Sequence, residues 1–329
     1  MPNEKLIFVL NEIREIADIL GEVYKEKAYN KAIPEIKKLN FEITPANIEL
    51  IKTRKIPGVG PGILGKIIEF VTTGVILELE KAKKSRKVQA FRVLSGIAGV
   101  GPATIKKWIE LGIDSLPKLR KAIASGKIKL NTMQKYGLRY YADLNERMPH
   151  AEVAYLGEIM KSILLQIDPQ MIFTICGSFR RNMPTSGDID ILVTNPHAFN
   201  DELLEIFMDI IDTDTNFIDY LSSGKERVTF LYKSPVSKKV RQIDILNLPF
   251  GSYYAGVLYF TGSGEFNVYF RSYAKSKGYR LNQDGLYKYV GKKLVLIPTS
   301  SEKEIFDILR LKYIPPQQRT SGNQVLSQR

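Results

Sequence analysis

The sequence is short of what an exported or membrane-embedded protein needs. It holds a single cysteine, Cys176, so no internal disulfide can form and the chain suits a reducing compartment. Cys176 ends the apolar run "MIFTIC", where a buried structural thiol is expected rather than a nucleophile. The start, "MPNEKLIFVLNEIREIADIL", has acids within its apolar stretch and lacks the layout of a signal peptide. No run approaches the roughly 18 consecutive apolar residues of a membrane span. An intracellular protein, in nucleus or cytoplasm and not secreted, is the expectation. Acidic residues are also scarce relative to basic ones.

What is present is a chain of 329 residues, 44% hydrophobic and 25% charged, which argues against wholesale disorder and for two or more folded domains. The formal net charge of +13 is uneven, with residues 1–150 carrying 27 Lys and Arg against 16 Asp and Glu. A basic first half joined to a nearly neutral second half suggests one part that grips a polyanion and one that does something else.

The basic half reads as helical, with apolar residues such as Ile13, Ile16, Ala17, Leu20 and Val23 at helical spacing. It contains an internal repeat, "IPGVGPGILGKIIEF" and "IAGVGPATIKKWIEL". Glycines at Gly58, Gly60, Gly99 and Gly101 permit tight turns whose backbone amides point from a helix start toward an anion. Two copies at matched positions are expected as helix-hairpin-helix motifs that hold a nucleic-acid backbone by its phosphates, fixing register without reading sequence.

After Pro149 the texture changes to short β-rich runs, "MIFTIC", "DIDILVT", "RVTFLYK" and "RQIDILNL", with helical stretches near 152–165 and 199–211. In "GDIDILV" the two-residue period places Asp188 and Asp190 on one strand face, where their charges repel unless a cation lies between them. Asp244 in "RQIDILNL" is a third carboxylate in an apolar strand. Three oxygen ligands on neighbouring strands suit Mg²⁺. Just upstream, "GSFRR" offers Gly177, Ser178 and Arg180 or Arg181 as a phosphate-holding turn, and "SGD" offers Ser186 and Gly187 as a second contact. Metal carboxylates beside phosphate donors fit phosphoryl or nucleotidyl transfer.

These stretches also resemble the family X DNA polymerases of the beta type. The strongest are "GSFRRNMPTSGDIDILVTNP", "GVLYFTGSGEFNVYFRSYAKSKGY", the paired hairpins and "SEKEIFDILRLKYIPPQQR". The resemblance implies an α+β chain in four parts: a lyase-like helical DNA-binding domain over 1–83, a helix-hairpin-helix subdomain over 84–148, a catalytic palm with a nucleotidyltransferase-type mixed sheet over 149–250, and a small α+β nucleotide-selection subdomain over 251–329 with a loose tail. It implies that Asp188 and Asp190 bind two Mg²⁺ ions, with Mn²⁺ as a substitute, and that Asp244 binds the catalytic one and helps activate the primer hydroxyl. Ser178, Arg181, Gly187 and Arg147 would hold the triphosphate. Tyr259, Phe260 and Gly262 of "YFTGS" would shape the sugar pocket, and Asn267 and Arg271 would meet the new base pair and template.

By the same resemblance Lys66 falls on the Schiff-base position of a 5′-deoxyribose-phosphate lyase, its pKa lowered by burial and nearby cations. Lys25 and Tyr29 match a 5′-phosphate pocket, two of whose basic positions are replaced here by Gly62 and Glu78. The hairpins would hold a monovalent cation. The implied activity is templated filling of short gaps in base excision repair by a monomer, with gapped or nicked DNA and dNTPs as substrates and a DNA ligase and other repair enzymes as partners. Rival readings are a template-independent or RNA-directed nucleotidyltransferase and a catalytically silent DNA-end-binding protein. Abundant Ile, Lys, Asn and Tyr points to an AT-rich genome such as that of a large DNA virus, and then to a viral replication site.

Overall fold

The computed structural model describes residues 3–54, 56–291 and 293–320. The loose tail expected over 320–329 lies outside the described residues beyond Thr320. The chain divides into two compact units, Met1–Arg139 and Tyr140–Arg329.

The first unit is helical throughout its described residues. Its opening helix, Glu4–Leu20, buries Leu6, Leu10, Ile13 and Ala17, a stripe at three- and four-residue spacing, and stops at Gly21 in the left-handed region. That stripe packs into a core with Ile36, Ile51, Ile67 and Leu79 from the following helices, Val23–Lys37, Ile48–Arg54, Pro61–Thr73 and Leu77–Lys83. Four more helices follow, Arg86–Ser95, Pro102–Glu110, Leu116–Ala124 and Thr132–Arg139.

The second unit is mixed α and β. Its five-stranded sheet runs in the order Ile172–Ile175, Ile189–Thr194, Val240–Asn247, Arg227–Lys233, Phe217–Ser223. All neighbours are antiparallel except the central pair, where Ile189–Thr194 and Val240–Asn247 run parallel and Asp190 lies opposite Asp244. Alternation sorts these strands by face. Ile189, Ile191, Val193, Ile243 and Ile245 turn to the helices His150–Ile167 and Leu203–Ile211, in a core completed by Leu156, Met160 and Phe207. Each such fully buried side chain contributes roughly 1.5–3 kcal/mol over its exposed state. On the other face, Leu192 and Leu246 pack with Cys176, Tyr253 and Val257. Asp190 and Asp244 share that second face, so the carboxylates stand where an apolar layer runs out.

The segment before the sheet belongs to it by contacts. Arg241, on the Asp244 strand, donates from Nη1 to the Asp143 and Glu146 carbonyls at 3.0 and 2.9 Å. Its Nε and Nη2 meet the two oxygens of Glu152 at 2.9 and 3.1 Å, and both side chains are buried. Beyond the sheet, helices Phe250–Thr261 and Gly264–Ser276, a three-stranded antiparallel sheet of Tyr279–Asn282, Gly285–Val290 and Lys293–Ile297, and helix Glu302–Ile308 close over Phe266, Phe270, Leu286 and Phe306.

Candidate active site and nucleic-acid interface

The carboxylates crowd as the sequence predicts, and the crowding is felt. Burial, then the charges of Asp188 and Asp244, push the Asp190 carboxyl up to about 7. Asp188 is raised too, by burial and then by Asp244. Asp244 is the most enclosed of the three, at 1% exposure. Its Oδ1 accepts from Arg227 Nη2 at 2.6 Å and Nε at 3.1 Å and from the hydroxyl of Thr229, its cross-strand neighbour. Gln242 Nε2 donates to its Oδ2 at 2.9 Å. Arg227 and Thr229 carry no motif that would have announced this role and become legible only once the strand register is known, whereas Gln242 shares Asp244's strand face two residues away.

Among the described residues no three Asp, Glu, His or Cys side chains converge as a ready-made metal cage. The donor set nonetheless fits a hard divalent cation: Asp188, exposed, and Asp190, half-buried, are oxygen donors whose carboxyls both lie above their ordinary range, while Asp244 adds a third carboxylate already held by Arg227, Thr229 and Gln242.

The phosphate-type groups form the other half. Ser178 Oγ donates to Ser186 Oγ at 2.9 Å, and Ser186 is itself buried, so it braces Ser178 rather than facing outward. Gly177 adopts φ 62°, and a Cβ there would stand 3.3 Å from Asp190 Oδ2, so this turn lies directly against the carboxylate. Arg147 donates from Nε to Thr185 Oγ1 at 2.8 Å and from Nη2 to the Thr185 carbonyl at 2.6 Å. Its Nη1 is 3.8 Å from the place a Cβ would take on Gly187. Burial, and then the like charge of Arg147, push the Arg181 guanidinium below the usual arginine range. Two guanidiniums that disfavour each other stand beside carboxylates that do the same.

Of the two candidate arginines, the structure separates the roles. Arg180 is taken up inside the fold: Nη1 and Nη2 reach Glu302 Oε1 and Oε2 at 3.0 and 2.7 Å, and Nη1 also reaches Thr261 Oγ1 at 2.8 Å. Glu302 in turn accepts from buried Arg319 at 2.7 Å. Arg181 donates to the Thr261 carbonyl and, among the described residues, has no carboxylate partner in its hydrogen bonds, its Nη1 lying 3.1 Å from the place a Cβ would take on Gly262. The threonine of "YFTGS" therefore anchors both arginines of "GSFRR".

In the same stretch Tyr259 and Phe260 pack edge to face at 5.3 Å. Asn267 Nδ2 donates to the Tyr259 carbonyl at 2.6 Å, and the Arg271 guanidinium lies 6.0 Å from the Tyr259 ring centre. Arg271 also borders a cleft of about 550 Å³ lined by Lys275, Arg280, Tyr279 and Tyr289. Cations alternating with aromatic faces suit a nucleic-acid strand. Leu246 lies in the apolar layer beneath the site.

In the helical unit the repeated motif folds the same way twice. Gly58 and Gly99 both adopt φ 77°, a region that only glycine occupies cheaply. Gly60 and Gly101 are extended helix caps, each followed by proline at the first helical position. Both turns press on a neighbouring helix: a Cβ on Gly58 would meet the backbone of Lys31 and Ala32 at 3.1 and 3.2 Å, and one on Gly99 would meet the Met133 side chain at 2.8 Å.

Lys66 follows the first hairpin and shares a cavity of about 410 Å³ with Lys25, Tyr29, Gly58, Gly60, Gly62 and Glu78. The expected nearby cation is present as Lys25, but carboxylates stand closer: Lys66 pairs with Glu78 at 2.7 Å and Glu69 at 3.7 Å. Glu78 also reaches Lys25 at 2.5 Å, and the hydrogen bonds from the two lysines hold its carboxyl down at about 2.

Four family profiles tile this chain: a helix-hairpin-helix domain over residues 1–76, the fingers domain of DNA polymerase lambda over 92–145, the DNA polymerase beta palm over 147–250 and the DNA polymerase beta thumb over 256–320. The chain belongs to the family X DNA polymerases. Among curated relatives, DNA polymerase lambda of Arabidopsis thaliana is 30% identical over 96% of this chain and 62% of its own length. DNA polymerase lambda of Rattus norvegicus is 28% identical over 94% and 55%, and a DNA nucleotidylexotransferase of Monodelphis domestica is 27% identical over 89% and 63%. The chain thus spans between about half and two thirds of the length of these family members. The palm profile covers the three carboxylates and both arginines of "GSFRR", and the thumb profile covers Tyr259 to Arg319.

Proposed function

We propose that the chain is a template-directed DNA polymerase that fills short gaps, as in base excision repair, by transferring a nucleotide from a dNTP to a primer 3′-hydroxyl. One observation carries this reading: Asp190 is raised by burial and then by its neighbouring carboxylates, while Arg181 is lowered by burial and then by Arg147, and the turn that leads to Arg181 lies against Asp190 at Gly177. A polyanion bound with divalent cations relieves both imbalances at once. When bound, Mg²⁺ supplies charge neutralisation of the triphosphate and a lowered pKa for the attacking hydroxyl.

The chain's own part is to hold and orient. Asp188 and Asp190 present oxygens to the ions, and the Arg227, Thr229 and Gln242 bonds fix Asp244 beside the incoming primer end. The primer 3′-hydroxyl gives its proton to water, its oxygen attacks the α-phosphorus, the bond to the bridging oxygen of pyrophosphate breaks, and Ser178, Arg147 and Arg181 receive the charge on the departing pyrophosphate. Tyr259 and Phe260 border the sugar, and Asn267 and Arg271 face the base pair. The hairpin turns grip DNA by its phosphates, so affinity falls steeply with salt. An intracellular site of action agrees with the single buried cysteine.

The decisive experiment is single-nucleotide incorporation into a one-nucleotide gap with each dNTP in turn, for the wild type and Asp244→Ala. Templated insertion lost in the variant is the expected result. The nucleotidylexotransferase among the relatives favours one alternative, untemplated addition, and insertion indifferent to the template base would replace our reading with it. Tight DNA binding without insertion would leave a silent end-binding protein.

A 5′-deoxyribose-phosphate lyase is the finer part of the proposal. The Lys66 amine, after losing a proton, would add to the sugar aldehyde and expel water to form an imine, whose elimination releases the 5′-phosphate end. Its cavity beside the first hairpin supports this, and the Glu78 pairing weighs against it. Borohydride trapping on a 5′-deoxyribose-phosphate end should yield an adduct that Lys66→Ala abolishes; an unchanged adduct moves the nucleophile elsewhere.

A further inference from the structure

The cavity around Lys66 is an anion site that already contains an anion. Glu78 bridges its two lysines, with Oε1 2.5 Å from Lys25 Nζ and Oε2 2.7 Å from Lys66 Nζ. Two more carboxylates complete the set, Glu22 at 3.0 Å from Lys25 and Glu69 at 3.7 Å from Lys66. Two ammoniums therefore face three carboxylates, a local excess of negative charge inside the half of the chain whose bases outnumber its acids 27 to 16. The remaining polar group is the phenol of Tyr29, pushed up to about 12 chiefly by burial, which stays a neutral donor. Burial works against the Lys25 ammonium, but its bonds to Glu78 and Glu22 outweigh that and hold it charged.

We propose that Glu78 is a specificity-determining residue: it occupies the place between Lys25 and Lys66 that a terminal phosphate monoester would take, and so makes this chain nearly indifferent to whether the downstream strand of a gap ends in a 5′-phosphate or a 5′-hydroxyl. The physical argument is exchange. A phosphate dianion entering the cavity must displace a carboxylate with two charge-assisted hydrogen bonds, and it enters against the repulsion of Glu22 and Glu69. The gain over a hydroxyl end is then small. The wall of the cavity has room for another outcome, since a Cβ on Gly62 would meet nothing within 4 Å. The inference rests on the gap-filling reading only for its choice of DNA end.

The test is equilibrium binding of the full-length chain to a labelled one-nucleotide-gapped duplex, at one fixed salt concentration, with either a 5′-phosphate or a 5′-hydroxyl on the downstream strand. For the wild type the two dissociation constants should agree within about twofold, and Glu78→Gln should favour the phosphate end by about tenfold, the effect of one like charge removed at contact distance near the surface. Gly62→Lys, which adds a cation without touching Glu78, should shift the ratio the same way. Lys25→Gln in the Glu78→Gln background should return it to near unity. A wild-type ratio of tenfold or more, or a Glu78→Gln ratio that stays within twofold in protein whose thermal unfolding is unchanged, would overturn the proposal. Because the ratio is read from binding, it answers for Glu78 even if nucleotide incorporation fails and the polymerase reading with it.

Discussion

Two clusters of opposite charges in this molecule are arranged in opposite ways. In the sheet unit Asp244 is paired with Arg227, but burial and then like-charged neighbours disfavour both the Asp190 carboxylate and the Arg181 guanidinium. In the helical unit, Lys25 and Lys66 are each closed against Glu78, so every cation of the cluster meets a carboxylate. The first arrangement costs folding free energy that only a ligand carrying both signs of charge can return. The second costs little and demands nothing. Charge density alone therefore says less about a site than whether unlike charges are allowed to meet.

The contrast can be broken most severely at the carboxylates. Asp190→Asn and Asp244→Asn should each lower nucleotide incorporation by about 10³-fold or more in single-turnover assays, with DNA affinity preserved. A loss of less than about tenfold would detach the carboxylates from the chemistry.

The adjacent arginines offer a sharper cut. Arg181→Ala should raise the KM for nucleotide and lower kcat/KM by roughly 10- to 100-fold, the worth of a charge-assisted hydrogen bond to phosphate, with Tm nearly unchanged. Arg180→Ala should do the reverse. It strips Glu302 of a bidentate partner at 5% exposure, a loss of about 3–5 kcal/mol of stability visible in thermal unfolding.

The two clusters should also titrate with opposite signs when metal is removed by chelation. The Asp190 carboxyl lies at about 7 when folded, above its ordinary value near 4, so the stability it confers is full below about pH 4 and is lost as pH rises toward 7. Glu78 lies at about 2, so its contribution is present above roughly pH 4.5 and is lost as pH falls toward 2. Unfolding curves of the wild type against Asp190→Asn and Glu78→Gln across this range would expose the two slopes.

The smallest expected difference is between the hairpins. Both glycines adopt the same left-handed conformation, at about 1–2 kcal/mol for any other residue. Gly58→Ala should cost more than Gly99→Ala, because its new Cβ meets backbone, whereas Met133 can move aside. Equal destabilisation in urea unfolding would mean that the Lys31 backbone yields as readily as the methionine.

Much of this was legible in the sequence where the signal is local. The alternation of "GDIDILV" fits Asp190, which shares a strand face with Leu192, whereas Asp188 lies in the bend just before that strand rather than on its face, and the repeated Gly-Val-Gly-Pro gave two matching turns because both the left-handed glycine and the proline that starts the helix lie within four residues. What stayed illegible is what depends on distance along the chain. Nothing near Arg180 and Arg181 tells them apart; the difference is made by Glu302, 122 positions away. Two partners of Asp244, Arg227 and Thr229, come from a neighbouring strand whose register no motif specifies. Glu78 reads in sequence as a missing cation, and only its position 53 residues from Lys25 turns it into a resident anion. The edge strand Phe217–Ser223 also lacked a signal, since its half-buried residues do not alternate cleanly and its pairing is interrupted by register shifts.

The parallel pairing of Asp190 with Asp244 has a consequence for how such a site can diverge. The gap between these carboxylates is gauged by backbone hydrogen bonds of two central strands, so it acts as a ruler whose graduations do not depend on the side chains around it. Leu192 and Leu246, the next residues on that face, can drift through other apolar shapes and change how firmly the unit holds together while leaving the reading of the ruler alone. Sequence change can thus pass freely through the layer beneath the site, and the spacing of the two acids is inherited intact.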